Sequence, residues 1–345
     1  MSLIQPKRLA AGDRIATVSL SWGGAGNPEL LWRYHQGKEY LQRVFGLEVV
    51  EMPHTLKGAD YLYEHPEKRA EDLMRAFEDP AIKGVFSCIG GDESVRMLPY
   101  IDYDVIRSNP KVFLGYSDTT VTHFICRKAG LSSFYGPSIL AEFAENGGLH
   151  PYTRQWVTKA LFCPEPIGAV EPPCEWTSEY LPWLEENKGK RRAYRHNTGY
   201  ELIQGEGSAC GRLIGGCVEV LEMLKGTELW PAPEEWNGAI LFLETSEDMP
   251  VSSFVEYWLR NYASQGILRH CAGIVFAKPY DMKYYEEYKL AIRKVLREDP
   301  KLRDLPVLCN VSFGHTSPMA ILPYGAMARI DCDPAGFSIL DTGVV

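Results

Sequence analysis

The feature that most constrains this chain is an alternation in its first half. Short, almost wholly apolar runs stop at glycine-rich turns, and each is followed by a stretch with helical spacing. Arg14–Leu20, rich in β-branched residues, meets Gly23-Gly24-Ala25-Gly26 and then a helical segment from about Pro28 to Phe45, which Gly46 is placed to stop. Leu47–Val50 is the next strand. Pro66–Phe77 carries Leu73, Met74 and Phe77 on one helical face. Gly84–Ile89 and Lys111–Gly115 are two further strands. Apolar strands interleaved with helices predict a parallel sheet covered on both faces, an α/β fold of flavodoxin-like or Rossmann-like type.

From about Cys163 to Gly205 that texture breaks. Prolines 164, 166, 172, 173 and 182 cluster with charged residues and no period survives, so this stretch reads as an excursion between two regular parts. Regular structure resumes at Gly211–Gly216. The spacing then predicts a helix over 217–224, a strand over 239–244, a helix over 254–262, a strand over 272–276, a helix over 284–297 and a strand over 307–311. The expected organisation is an N-terminal α/β domain at 1–165, a linker or excursion at 166–206, and a C-terminal mixed α/β domain at 207–345. A length of 345 residues accommodates two domains with a core that needs no staple.

Composition narrows the partners. A formal net charge of -9 disfavours a polyanion, so nucleic acid is not an expected partner, and Lys188–Arg192 reads as a solvated loop after Glu185-Glu186. The N-terminus lacks the apolar core of a secretory signal, and no run approaches the ~18 apolar residues of a membrane span. The nine cysteines form no C-x-x-C pair, which fits reduced thiols in a cytoplasm. No H-E-x-x-H or similar spacing exists, and a G-x-G frame begun at Gly24 puts Glu29 where the last glycine belongs. Neither a metal nor a dinucleotide cofactor is expected.

Ligands collect at the carboxyl ends of parallel strands, which directs attention to three positions. Ser117 follows a strand on the turn Gly115-Tyr116-Ser117-Asp118. That turn resembles a nucleophile elbow, although Thr119 stands where its last glycine would be. The same Ser117-Asp118-Thr119 run also suits a helix cap, and local pattern alone favours the cap. Gly90-Gly91, after another strand, would let backbone approach a ligand, yet an ordinary turn explains the pair as well. Glu244 ends the strand AILFLE, where a solvated strand end is the simpler reading, as it is for Glu247 and Asp248. His315 follows Gly314 past a strand. His123 falls inside the helix after Ser117 and reads as a packing or surface residue.

The run IGGDESVRMLPYIDYDVIRSNPKVFLGYSDTT, at 89–120, resembles the LD-carboxypeptidase family of serine peptidases (peptidase family S66), closest to its microcin C immunity branch. GRLIGGC at 211–217, GAILFLETSE at 238–247 and FGHTSPMAILPYGAMARID at 313–331 agree with it. The resemblance implies Ser117 as nucleophile, His315 as base and Glu244 as the residue that orients the histidine. It further implies an oxyanion hole from the amides of Gly91 and Asp118, with Gly90 beside the substrate, and a homodimer. The substrate it implies is a peptidyl-nucleotide conjugate or a muropeptide tetrapeptide. The proline-rich excursion carries Trp176 and Trp183. In the immunity branch an aromatic from such a loop stacks on the nucleobase, a role that falls to Trp176. The alternative of another class is a non-catalytic small-molecule binding protein.

Overall fold

The computed structural model describes residues 3–345. Five short strands form the first sheet in parallel: β1 (Arg14–Val18), β2 (Glu48–Glu51), β3 (Ile82–Ser87), β4 (Val112–Gly115) and β5 (Phe134–Tyr135). Their order is β2-β1-β3-β4-β5, the flavodoxin-like arrangement. Every residue of β4 is buried, as a parallel strand covered on both faces requires. The helix Leu31–Phe45 ends at Gly46, whose φ of 68° gives the left-handed cap expected of it. The helix Pro66–Glu78 starts with proline at its first turn, where the missing N–H costs nothing.

The remaining strands are β6 (Pro166–Ala169), β7 (Glu175–Trp176), β8 (Arg195–His196), β9 (Glu201–Gln204), β10 (Ser208–Cys217), β11 (Ala239–Glu244), β12 (Gly273–Ala277), β13 (Val307–Val311), β14 (Leu322–Pro323), β15 (Met327–Cys332) and β16 (Ala335–Thr342). The second sheet runs β6-β16-β15-β10-β11-β12-β13-β9. Its middle, β10 to β13, is parallel, and its flanks are antiparallel. The result is a mixed α/β molecule with one mainly parallel sheet and one mixed sheet.

Two expectations change. The stretch 166–206 is more than a linker, because β6 and β9 form the two edges of the second sheet and β7 pairs with β8. Edge strands need only one neighbour, so proline-rich sequence without a strong period can supply them. The division by sequence is not clean at the other end either. Leu322 and Pro323 leave the C-terminal part to pair antiparallel with Tyr135 and Phe134 on the first sheet. Among the described residues, no helix is long and apolar enough to cross a membrane.

Candidate active site

The ends of β4, β11 and β13 converge where the two sheets meet. Beyond β4 the chain makes a tight turn, and Ser117 adopts φ 64°, a left-handed conformation that costs a non-glycine residue energy, a strain that makes the position a candidate for function. This turn is not a side-chain cap: no side chain of Ser117–Thr119 caps the helix Thr120–Lys128. The hydroxyls of Thr119 and Thr120 instead donate back to the carbonyls of Tyr116 (2.5 Å) and Ser117 (2.7 Å), closing the turn from below. Asp118 turns its carboxylate inward, where it accepts from Ser21 Oγ (2.6 Å) and the Ser94 N–H (2.8 Å). These bonds tie the loops after β1 and β3 to the serine turn.

Glu244 is not a solvated strand end. It is 1% exposed, and β11 is buried along its whole length. Its Oε2 accepts from His315 Nδ1 at 2.6 Å and from the His315 backbone N–H at 3.3 Å. Gly314, just before the histidine, has φ 78°, and a Cβ there would stand 2.5 Å from Glu244 Oε2. Only glycine lets the loop lie this close to the carboxylate. With Nδ1–H held by Glu244, the lone pair of neutral His315 is on Nε2, which faces Ser117 Oγ at 3.0 Å.

Two contacts at this row are invisible in the residue pattern. Tyr135 OH donates to Glu244 Oε1 at 2.5 Å and accepts from the Ser117 N–H at 3.1 Å, so one buried phenol on the first sheet holds both the serine turn and the carboxylate of the second sheet. Burial and the neighbouring Glu244 push the phenol well above its ordinary pKa, so it remains a donor. Tyr135 ends a strand of two residues with no recognisable motif, and no local signal could have singled it out. Glu247, which sequence placed in solvent, is 61% exposed yet brings Oε2 to 3.0 Å from His315 Nε2. Burial pulls the His315 pKa down, but the carboxylates of Glu244, Glu247 and Glu219 outweigh it and raise it to about 9. The Tyr116 ring meets the imidazole edge-on, with centroids 5.1 Å apart, and its hydroxyl donates to Glu142 at 3.2 Å.

Gly90 lines the same cleft as Ser117 and His315. A Cβ at Gly90 would lie 2.8 Å from Ser117 Oγ and 3.2 Å from the Asp118 nitrogen, so the absent side chain opens the space between hydroxyl and amide. Gly91 lines the same cleft. The cleft measures about 620 Å³. Trp183 lines it, with the Arg33 guanidinium 4.3 Å from its ring, and Tyr180 and Tyr280 add further aromatic surface.

Trp176 lies elsewhere, which corrects the nucleobase expectation. It is 5% exposed on β7, with Lys278 Nζ 4.7 Å and Arg195 5.3 Å from its ring, and it does not line the cleft. Both tryptophans sit in the same aperiodic excursion, so local sequence could not tell packing from lining. His123 is wholly buried and bonded to Ser133 Oγ and the Gly115 carbonyl (2.9 Å each), and burial lowers its pKa to about 3. It braces the serine turn as an uncharged ring.

Among the described residues, Cys217, Glu244 and His315 form the one group with spacing that could hold a metal ion. Burial keeps the Cys217 thiol protonated, well above its usual pKa, and the other two residues already bond each other. The set suits proton transfer better than metal ligation.

Two family models cover most of the chain. Residues 15–136 match the LD-carboxypeptidase N-terminal domain and residues 210–330 the LD-carboxypeptidase C-terminal domain. The microcin C7 self-immunity protein MccF of Escherichia coli is 33% identical over 96% of this chain and 94% of its own length. The structure of an MccF-like protein from Streptococcus pneumoniae in complex with AMP superposes with a TM-score of 0.88 at 32% identity, covering 95% of this chain and 98% of that one. MccF in complex with aspartyl sulfamoyl adenosine gives a TM-score of 0.85 at 29% identity, covering 99% and 100%. The chain belongs to the LD-carboxypeptidase family of serine peptidases, peptidase family S66, and is a hydrolase of that type.

Proposed function

We propose that this hydrolase cleaves the amide of a peptidyl-nucleotide conjugate, with Ser117 as nucleophile, His315 as general base and Glu244 as the residue that orients the imidazole. The observation that carries this reading is the continuous hydrogen-bonded row from Glu244 through His315 to Ser117 Oγ, assembled from two separate sheets. His315 Nε2 takes the hydroxyl proton as Oγ attacks the carbonyl carbon. The tetrahedral oxyanion forms in the space beside Gly90, where the amides of Asp118 and Gly91 receive it. On collapse, the imidazolium gives its proton to the leaving nitrogen, and water then releases the acyl group by the reverse relay. Glu244, 2.6 Å from Nδ1, keeps the proton on that nitrogen.

The nucleotide part of the reading rests on the cleft wall. Trp183, backed by Arg33, offers a flat surface for a planar ring, and two structural relatives hold AMP and an aminoacyl-sulfamoyl nucleoside. The reading takes the two sheets as the cores of two domains, the first carrying Ser117 and the second Glu244 and His315. It also takes the protein as a cytoplasmic homodimer. The decisive experiment is a mass-spectrometric turnover assay of wild type and Ser117→Ala on aspartyl sulfamoyl adenosine and a muropeptide tetrapeptide. Cleavage of the nucleotide conjugate alone, lost in the variant, supports the proposal. Cleavage of the tetrapeptide alone would reassign the protein to murein recycling. Equal ligand binding by both proteins with no turnover would leave a binding protein.

A further inference from the structure

Glu247 stands in an unusual place for a solvent-facing carboxylate. Its Oε2 is 3.0 Å from His315 Nε2, and Ser117 Oγ is 3.0 Å from the same nitrogen. Two acceptors therefore compete for one N–H position of the imidazolium. The only ion-pair contact of Glu247 among the described residues is this histidine. The two arginines that line the cleft are engaged elsewhere, Arg192 with Glu145 and Arg33 with the Leu140 carbonyl and Asn146. Among the described residues no cation pairs with Glu247 from the substrate side. Thr316, next to His315 on the cleft lining, also buries a hydroxyl that has no hydrogen-bond partner. The wall beside the nucleophile thus holds one carboxylate whose single charged partner is His315 and one unused acceptor.

The position matches a definite part of a substrate. The two contacts put Glu247 Oε2 within about 6 Å of the attacking oxygen. A carbonyl carbon poised for attack lies ~3–3.5 Å from that oxygen. The nitrogen on the adjacent α-carbon is ~2.5 Å further on by standard bond lengths and angles. An α-ammonium on the acyl residue therefore falls within reach of Glu247, whereas an acylated nitrogen brings no charge and adds bulk at the same point.

We infer that Glu247 selects substrates by a free ammonium group on the residue that contributes the scissile carbonyl. This rests on the amide-hydrolysis reading above and moves its preferred substrate from peptidyl- to aminoacyl-nucleotide conjugates, whose amine is unblocked. The same contact completes the base. When Glu247 turns to the ammonium it leaves His315 Nε2, and the imidazole then faces only Ser117 Oγ. In the empty cleft the imidazolium is held by Glu244 and Glu247; once the ammonium takes Glu247, the Nε2 proton passes to solvent water and the neutral imidazole is left as the general base for Ser117 Oγ.

The test compares aspartyl sulfamoyl adenosine with its N-acetyl derivative, on wild type and on E247Q. Glu247 is largely exposed, so this near-isosteric change does not threaten the core. Wild type is expected to favour the free amine by about tenfold to a hundredfold in kcat/KM, the range of one charge-assisted hydrogen bond. In E247Q the preference should fall to within about threefold, mainly through slower turnover of the free-amine conjugate. An undiminished preference in E247Q would overturn the inference. Wild type that cleaves neither conjugate would overturn the hydrolysis reading itself, a result distinct from unchanged selectivity.

Discussion

Replacing Tyr135 with phenylalanine removes one oxygen and two hydrogen bonds. The first is the 2.5 Å donation to Glu244 Oε1, inside a site where Glu244 is 1% exposed. A hydrogen bond to a charged group contributes ~1.5–3 kcal/mol, and the carboxylate oxygen left behind has no water to replace it. The second is the acceptance of the Ser117 N–H at 3.1 Å, whose loss costs about 1 kcal/mol and frees a backbone held at φ 64°. Tyr135→Phe should therefore lower unfolding free energy by about 2–4 kcal/mol, read from urea denaturation. If half of that is felt at the transition state, kcat falls by about tenfold, since ~1.4 kcal/mol is a factor of ten. KM should stay nearly constant, because the phenol touches no substrate. A Glu244 with fewer donors is a stronger base and holds the imidazolium proton harder, so the rising limb of the pH–rate profile should move to higher pH. The reasoning is refuted if Tyr135→Phe loses stability as stated but keeps kcat within twofold and an unmoved pH profile. The phenol would then be packing alone.

Other expectations follow from the same geometry. A general base must be neutral, and carboxylates hold His315 at about 9, so kcat/KM should climb tenfold per pH unit below that value and flatten above it. A plateau beginning near pH 6.5 would contradict this, and Glu244→Gln should shift the limb down toward the ordinary histidine value of about 6.5. Gly90→Ala would set a methyl 2.7 Å from Ser117 Cβ and fill the oxyanion space, so activity should drop at least a hundredfold while circular dichroism stays native. The two tryptophans should separate cleanly. Trp183→Ala is expected to raise KM for a nucleotide conjugate about tenfold with little change in melting temperature, while Trp176→Ala should cost about 3–5 kcal/mol of stability and leave the KM of folded protein alone.

Much of the architecture is legible in local sequence, because burial on both faces of a parallel strand leaves an apolar run that turn residues cut off sharply. Ala239–Glu244 and Val307–Val311 fall where the pattern puts them, and Gly46 caps its helix as its place after Phe45 suggests. The positions of Ser117, Glu244 and His315 at strand ends are legible for the same reason: each follows an apolar run directly. Their partnership is not, since His315 and Glu244 come from a different sheet than the serine and meet it through contacts some seventy to two hundred residues apart in the chain.

What sequence by itself determined, then, is the core strands β1–β4 and β10–β13, the parallel class of the first sheet and the candidate side chains, all of which depend on periodicity and on residue type. Only the tertiary structure decided which tryptophan faces the cleft, that Pro166–Ala169 and Glu201–Gln204 close the second sheet, that Leu322-Pro323 crosses to the first, and that Tyr135 and Glu247 flank the row Glu244–His315–Ser117. These are long-range pairings. A two-residue strand, a proline-rich edge or a single exposed glutamate carries no period of its own, and its role exists only once the two sheets are packed against each other.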